Sequence, residues 1–282
     1  MNKENLLDQT THFVFGKNWQ DYAEKIDDAR IAQAISDLQR LCGHKDLQGK
    51  TFLDIGCGSG LHALAAVRLG AVRVVGTDID PDSVAISKTI LRRFSPGAHA
   101  EFKVYSVFDM NPDEFGVFDI VYSWGVLHHT GDMYRAIACA AALVSPQGQF
   151  IVALYKKTPF CGTWRAIKRW YSRSGPTAQR RARGVYVALR RIITRIRGED
   201  FDAYVRDYGK NRGMDFYNDV HDWLGGYPYQ SISPDECHAS LVGLGFDLKH
   251  EFIKTPGRFA PGLCGSGCDE YVFRRLARKQ DS

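Results

Sequence analysis

Three glycines at alternate positions, followed by an acid, are the residues most able to do chemistry in this sequence. Gly56, Gly58 and Gly60 follow a short apolar run that ends in Asp54, and a second apolar run closes on Asp78, 20 residues after Gly58. A carboxylate at that distance can accept hydrogen bonds from both hydroxyls of a ribose. Glycines let a ligand approach the backbone because no Cβ stands in the way. The segment therefore predicts a nucleoside site at the end of a parallel sheet.

The spacing of these glycines distinguishes between nucleoside ligands. A dinucleotide site of the G-x-G-x-x-G type would have its third glycine at position 61, where the sequence has Leu61. Asp54, just before the turn, fits a cationic amino-acid group better than it fits a pyrophosphate. An NAD site, or a glycine turn that binds no ligand, is the alternative interpretation.

Residues 51–80 resemble motif I and the following acidic position of class I S-adenosylmethionine-dependent methyltransferases. The resemblance implies S-adenosyl-L-methionine as the cofactor, with the three glycines along its methionine part. It also implies that Asp78 binds the ribose and that Ile79 packs on the adenine. Within the family, residues 212–230 and the glycine–cysteine loop before the last predicted strand resemble a bacterial subgroup that we associate with small-molecule or glycan-type acceptors.

Two downstream segments match the same family. Asp109 follows a predicted strand, where the family has an acid that accepts a hydrogen bond from the adenine amino group, and Phe108 would pack against the ring. Ser123 and Trp124 occupy the place where the family's chain passes the methyl donor. An ordinary surface acid in a turn is the alternative for Asp109.

Four side chains are candidates for a general base. His128 and His129 follow the fourth predicted strand, and a histidine that titrates near neutrality can deprotonate a hydroxyl or an amine. Asp219 and His221 are the second pair of candidates. The alternatives are a packing role for these histidines, or a reaction without a base that depends on holding the nucleophile and the methyl group in line.

Aromatic and polar side chains alternate near the end of the predicted insertion, a composition typical of sites for small polar molecules such as sugars. An N-terminal segment rich in aromatic residues resembles the lid of the family. A packed hinge and a hydrophobic plug are the respective alternatives. The predicted acceptor-binding residues are Phe15, Trp19, Tyr22, Arg212, Tyr217, Trp223 and Tyr227. We predict no metal site, since no carboxylate–histidine cluster has ligand spacing and the seven cysteines form no C-x-x-C pair.

Basic residues are concentrated in one segment. The net charge is only +5, but residues 156–197 contain 13 Lys or Arg and no Asp or Glu. A solvated helix face or an oligomer contact is one interpretation. A phosphate-bearing acceptor, RNA and an anionic membrane surface are the others.

Alternating strands and helices must position these residues. They predict an α/β fold with a doubly wound, mostly parallel sheet, and the family resemblance implies seven strands with an antiparallel last strand. A turn is expected at 145–148, just before strand 5, and a mainly helical insertion after that strand. A capping-box-like sequence at 233–236 predicts the start of the helix that follows the insertion. We divide the chain into a helical lid at 1–45, a cofactor-binding core at 46–155, a substrate-binding insertion at 156–233 and a completion of the core sheet at 234–282.

Length and composition set the remaining expectations. The 282 residues are 44% apolar and 12% aromatic, which favours a packed globular protein. No apolar window is long enough for a membrane span, and the first residues lack the pattern of a signal peptide, so we expect a cytoplasmic protein. The predicted activity is methyl transfer to an oxygen, or as second choice a nitrogen, of a small polar or phosphate-bearing metabolite or glycan precursor. A tRNA methyltransferase and a non-catalytic nucleotide-binding protein are the alternatives, and the oligomeric state is left open.

Overall fold

A seven-stranded sheet forms the centre of the protein. The computed structural model describes residues 23–212, 216–253, 262–263 and 265–277, with the backbone alone at 209–212. The strands follow the order β3-β2-β1-β4-β5-β7-β6 across the sheet. Their bounds are β1 Thr51–Ile55, β2 Arg73–Asp78, β3 Glu101–Val104, β4 Phe118–Trp124, β5 Val144–Tyr155, β6 Phe246–Phe252 and β7 Cys268–Arg275.

The strand directions confirm the predicted fold class. Strands β1 to β5 pair in parallel, and β7 runs antiparallel between β5 and β6. The chain builds the sheet outward from β1 to β3 and then returns to place β4 on the other side of β1. The carboxyl ends of β1 and β4 therefore flank a topological switch point, where open α/β sheets bind their ligands.

Helices cover both faces of this sheet. Neighbouring residues on a strand point to opposite faces, so Phe52 joins one apolar cluster and Leu53 the other. Burial on both faces explains why the strands read as nearly continuous apolar runs. The helices of the core are α1 Asp28–Cys42, α2 Leu61–Arg68, α3 Pro81–Phe94, α4 Pro112–Phe115 and α5 Met133–Ala142.

The predicted helical insertion follows β5. Its helices are α6 Cys161–Ser172, α7 Pro176–Ile196, α8 Phe201–Arg212 and α9 Phe216–Gly225. They enclose a third apolar cluster that is mostly aromatic and includes Trp164, Tyr171 and Phe201. Of the predicted lid, residues 1–22 lie outside the described part of the chain. None of the described helices is long and apolar enough to cross a membrane.

Two local signals in the sequence had different outcomes. The predicted capping box opens α10, Pro234–Gly243: Ser233 Oγ accepts from the Glu236 N–H, and Glu236 Oε2 accepts from the Ser233 N–H. The turn expected at 145–148 is instead an irregularity within β5. Pairing with β4 shifts between Phe118 and Ile120, and Gln147 has a φ of 64°. The extra residues of β5 do not pair with β4, so they form a bulge that does not end the strand.

Candidate active site

A cavity of about 570 Å³ opens at the carboxyl ends of the central strands and extends beneath the insertion helices. Its volume lies within the roughly 300–1,000 Å³ typical of small-molecule sites. Asp54 of β1, Asp78 of β2 and Trp124 of β4 contribute to one part of its wall. Asp219 and Trp223 of α9 contribute to another part. The predicted cofactor-binding and acceptor-binding segments thus share one cavity.

The turn after β1 requires its glycines. Gly56, Gly58 and Gly60 have φ values of 75°, 52° and 76°, in the left-handed region that favours glycine. The N–H groups of Gly56 and Cys57 both donate to the Thr77 carbonyl, at 2.7 and 2.9 Å, which ties the turn to β2. Of the three glycines, Gly56 lines the cavity; Gly58 and Gly60 shape the turn beneath it.

The main chain orients the Asp78 carboxylate at the cavity wall. Its two oxygens accept from the N–H groups of Gly58 and Asp80, both at 3.0 Å. A carboxylate has about four lone-pair sites, so two sites are left for ribose hydroxyls. Burial raises the pKa of Asp78 to about 6 despite these two hydrogen bonds. Ile79 lines the cavity beside it, as an adenine-packing residue would.

Asp54 is the second acid on the cavity wall. It is buried, and burial, reinforced by the nearby charge of Asp78, raises its pKa to about 7. A cation beside a buried carboxylate favours its charged form. S-adenosylmethionine carries an ammonium group on its methionine part and two hydroxyls on its ribose, so the chemistry of this acid pair fits that cofactor.

The structure locates the predicted adenine neighbours differently. Phe108 is buried in the core with the Arg135 guanidinium 4.7 Å from its ring centroid, and Asp109 is exposed to solvent. Neither side chain lines the cavity; Tyr105, Ser106 and Val107 do. The reason is the length of β3, which ends at Val104, so the residues that directly follow it face the crevice. The sequence keeps a strand-like pattern as far as Phe108, so it does not show that β3 ends at Val104.

The two residues at the end of β4 have separate roles. Trp124 lines the cavity, and its Nε1–H donates to Glu270 Oε1 at 2.9 Å. Ser123 is fully buried and donates its hydroxyl to the Ile55 carbonyl at 3.0 Å. Ser123 therefore joins β4 to β1 and does not form part of the cavity wall.

Helix α1 supplies wall residues that the sequence reading missed. Arg30, Gln33 and Asp37 line the cavity near Glu270 of β7. Their spacing of three and four residues places them on one helix face. That polar periodicity could have identified them. Nearby His62 of α2 also lines the cavity, and burial lowers its pKa to about 4, so it is neutral at physiological pH.

The adjacent histidines occupy different environments. His129 lines the cavity, and its Nδ1 lies 2.7 Å from the Pro228 carbonyl oxygen. A carbonyl can only accept, so Nδ1 carries the proton and Nε2 of the neutral ring is the acceptor. His128 is fully buried, its Nδ1 accepts from the Tyr155 N–H at 3.3 Å, and its ring lies 3.8 Å from that of Tyr155. Burial lowers the pKa of His128 well below its usual range.

The second pair of predicted bases also occupies two different environments. Asp219 lines the cavity and accepts a hydrogen bond from the Tyr208 hydroxyl. The Nδ1 atom of His221 lies 2.6 Å from the Tyr171 hydroxyl and 2.9 Å from an Arg183 nitrogen, among the helices of the insertion. His221 does not line the cavity, so its contacts indicate a role in packing α6, α7 and α9 together.

Aromatic side chains dominate the wall that the insertion contributes. Of the predicted acceptor-binding residues, Trp223 and Tyr227 line the cavity, whereas Tyr217 is 55% exposed on the surface. Phe15, Trp19, Tyr22 and the side chain of Arg212 lie outside the described residues. Asp222, in the segment where polar and aromatic residues alternate, also lines the cavity. Further wall residues were not predicted, because they lie on helices whose relative placement no local pattern shows: Tyr186, Arg190, Tyr204, Tyr208 and Phe216.

A buried lysine fixes the position of Trp223. Lys168 is fully buried; its Nζ donates to the Trp223 carbonyl and lies 3.7 Å from the centroid of that ring. Burial lowers the pKa of Lys168 well below its usual range, and the charges of Asp219 and Asp222 partly oppose this effect. Among the described residues, no group of three or more His, Cys, Asp or Glu is placed to hold a metal ion.

A family model described as a methyltransferase domain matches residues 23–210, about two thirds of the chain. The chain belongs to this methyltransferase family. S-adenosylmethionine is the cofactor of the methyltransferase, in agreement with the acid pair on its cavity wall.

Curated relatives match this methyltransferase over part of its length. The ubiquinone biosynthesis O-methyltransferase of Xanthomonas euvesicatoria pv. vesicatoria is 32% identical over 122 residues, 43% of this chain and 50% of the relative. The ribosomal protein L11 methyltransferase of Aliivibrio fischeri (strain MJ11) is 37% identical over 108 residues, 38% of this chain and 34% of the relative. The matched region thus spans half or less of either relative.

A solved structure resembles this methyltransferase over most of the chain. The magnesium protoporphyrin IX methyltransferase from Synechocystis PCC 6803, with bound SAH, superposes with a TM-score of 0.53 and 16% identity. The match covers 88% of this chain and 84% of that one. At this low identity the likeness concerns the fold, which is the predicted class I architecture.

Proposed function

We propose that this methyltransferase transfers the methyl group of S-adenosylmethionine to an oxygen of a small polar acceptor held beneath the insertion. One observation carries the proposal: a single cavity is lined by Asp54 and Asp78 near the β1 turn and by His129, Asp219 and Trp223 beneath the insertion. The bound cofactor supplies an electrophilic methyl group. The chain's own residues must then hold the acceptor and accept its proton.

His129 is the proposed base. The Pro228 carbonyl fixes the tautomer that leaves Nε2 able to accept a proton from the acceptor hydroxyl. When Nε2 is protonated, the Nδ1–H to carbonyl bond becomes charge-assisted, which stabilises the imidazolium. His128 is unsuited to this role, because burial disfavours its charged form.

The acceptor is proposed to be polar and uncharged. Trp223 and Tyr227 offer ring faces, and Asp219 and Asp222 offer oxygens that accept hydrogen bonds from hydroxyl groups. Of the basic residues at 156–197, Arg190 alone lines the cavity, so the insertion presents more acids than arginines to an acceptor. This balance opposes a phosphate-bearing acceptor. The similarity to an O-methyltransferase supports oxygen over nitrogen as the target atom.

Incubation with tritium-labelled S-adenosylmethionine tests the proposal. A metabolite extract and bulk tRNA are supplied in separate reactions. We expect label to enter the metabolite pool with the wild-type protein and to fall with His129→Gln. Label that enters tRNA, or no transfer to either pool, would overturn the proposed acceptor class.

A further inference from the structure

Helix α7 exposes a row of large aliphatic side chains. Val185, Leu189, Ile192 and Ile196 are 61%, 52%, 55% and 76% exposed. Their spacing of three or four residues places them along one face of the helix. Isolated exposed apolar residues are ordinary, but a continuous row on one helix indicates an interaction surface. We call these four residues the α7 stripe.

Arginines flank the α7 stripe. Arg181 lies one turn before Val185 and Arg195 one turn after Ile192, and both arginines are exposed on the same side of the helix. No Asp or Glu occurs between residues 156 and 197 to balance them. On the neighbouring helix α6, Trp170 is 53% exposed and follows the exposed Arg169.

The opposite face of α7 is fixed to the protein. Tyr186 and Arg190 line the cavity, and the Tyr204 hydroxyl accepts from Arg190 Nη2 at 2.9 Å. Thr194 is buried. The helix is therefore held in a set orientation with the α7 stripe outward, and one helix diameter, about 10 Å, separates the stripe from the cavity side.

We propose that the α7 stripe docks this methyltransferase on an anionic lipid surface. Aliphatic side chains bordered by arginines match the composition of helices that lie in the membrane interface. The aliphatics enter the acyl boundary while the arginines contact anionic headgroups. Arginines that served RNA would leave the aliphatic row without a function, since RNA is contacted through charge and stacking. In a symmetric dimer, the same patch would face itself and bring arginine against arginine.

Vesicle sedimentation with the full-length protein tests the proposal. The probes are vesicles of phosphatidylcholine alone, and vesicles in which roughly a third is phosphatidylglycerol. We expect binding to the anionic vesicles that weakens with salt, and weak binding to the neutral ones. Leu189→Ser/Ile192→Ser should lower the partition coefficient on anionic vesicles at least about tenfold, because two aliphatic side chains no longer enter the acyl region.

A matched double variant controls for the loss of exposed aliphatic surface. Val72 and Val242 are 68% and 61% exposed at sites away from α7, so Val72→Ser/Val242→Ser should bind vesicles as the wild type does. Unchanged thermal melting of both variants would show that they fold. The proposal is overturned if the wild type does not bind anionic vesicles, or if both double variants bind equally well. It is also overturned if the stripe variant only converts a dimer to a monomer, or if tRNA and not vesicles binds.

Discussion

At the scale of single residues, the two acids on the cavity wall explain both the choice of ligand and a cost to the fold. Burial raises the pKa of Asp54 to about 7 and that of Asp78 to about 6, so each carboxylate is costly to ionise without a ligand. A ligand with an ammonium group offsets that cost at Asp54. We therefore expect the same site to bind a cation and to lower the stability of the ligand-free protein at neutral pH.

The stability of the ligand-free protein should fall as the pH rises from about 4 to about 7. Asp54 in the folded state keeps its proton up to a pH of about 7, whereas in the unfolded chain it loses the proton near 3.8. Its stabilising contribution is complete below the unfolded pKa and is lost as the pH rises through the folded pKa. About three pKa units correspond to roughly 4 kcal/mol at most.

Chemical denaturation of wild type and Asp54→Asn at several pH values measures this effect. The variant has no titrating group at this position, so its free energy of unfolding should decline less over that range. In the wild type, affinity for S-adenosylmethionine should rise over the same interval as Asp54 ionises. Parallel stability curves for the two proteins would contradict the assigned pKa.

The proposed base gives a second prediction at the residue scale. His129→Gln should lower kcat by about 10²- to 10⁴-fold, because glutamine cannot take the proton. The Kd for the cofactor should stay unchanged, since His129 is assigned to the acceptor. His250→Gln, at an exposed position on β6, is the control and should leave kcat unaffected. Wild-type kcat in the His129 variant would mean that the reaction proceeds without this base.

At the scale of elements, the turn between β1 and α2 is a rigid part of the site. Gly60 has a φ of 76°, and a Cβ there would lie 2.9 Å from the Ser87 Cα on α3. Backbone conformation and close packing therefore both require glycine at position 60. Together they fix the position of the turn, and of Gly56 on the cavity wall, relative to β2. Glycine at this position is a consequence of helix packing as well as of ligand access.

Gly60→Ala should destabilise the protein more than Gly97→Ala does. Both positions have positive φ, 76° and 83°, but a Cβ at Gly97 meets nothing within 4 Å. Both variants carry the strain of an alanine at positive φ. The difference between their free energies of unfolding therefore reports the clash with α3 alone, and it should be about 1–3 kcal/mol. Urea denaturation of the two variants gives this difference. Equal losses of unfolding free energy in the two variants would contradict the prediction, because they would show that α3 moves to accommodate the Cβ.

Elements also show where sequence reasoning succeeds and where it stops. The capping box is local, because its hydrogen bonds join residues three apart, and the glycine turn is marked by three glycines within five residues, so both were predictable. The cavity wall formed by the residues after β3 was not predictable, because the strand ends at Val104 while the strand-like sequence pattern continues to Phe108. The turn predicted at 145–148 is a bulge within β5 for a related reason, because pairing with β4, and not local preference, continues the strand.

At the scale of the whole molecule, the proposed acceptor site depends on the insertion, which contributes one wall of the cavity beside the sheet. Alternation of strands and helices was enough to predict a doubly wound, mostly parallel sheet, which the structure confirms. The acceptor wall depends on how α7, α8 and α9 pack against one another. Side chains as distant in sequence as Tyr186 and Asp222 meet at one cavity through tertiary packing alone. The periodicity of the sequence predicts each helix but not which helices pack together, so most of this wall was found only in the structure.

Calorimetric titration of S-adenosylmethionine tests the central claim most directly. We predict a 1:1 complex with the wild type and an affinity about 10- to 100-fold lower in Asp78→Asn, because a charged acceptor for the ribose hydroxyls is lost. Asp109→Asn is the matched control, since Asp109 lies outside the cavity wall, and it should bind within about twofold of the wild type. An absence of binding by the wild type, or full affinity in Asp78→Asn, would contradict the account.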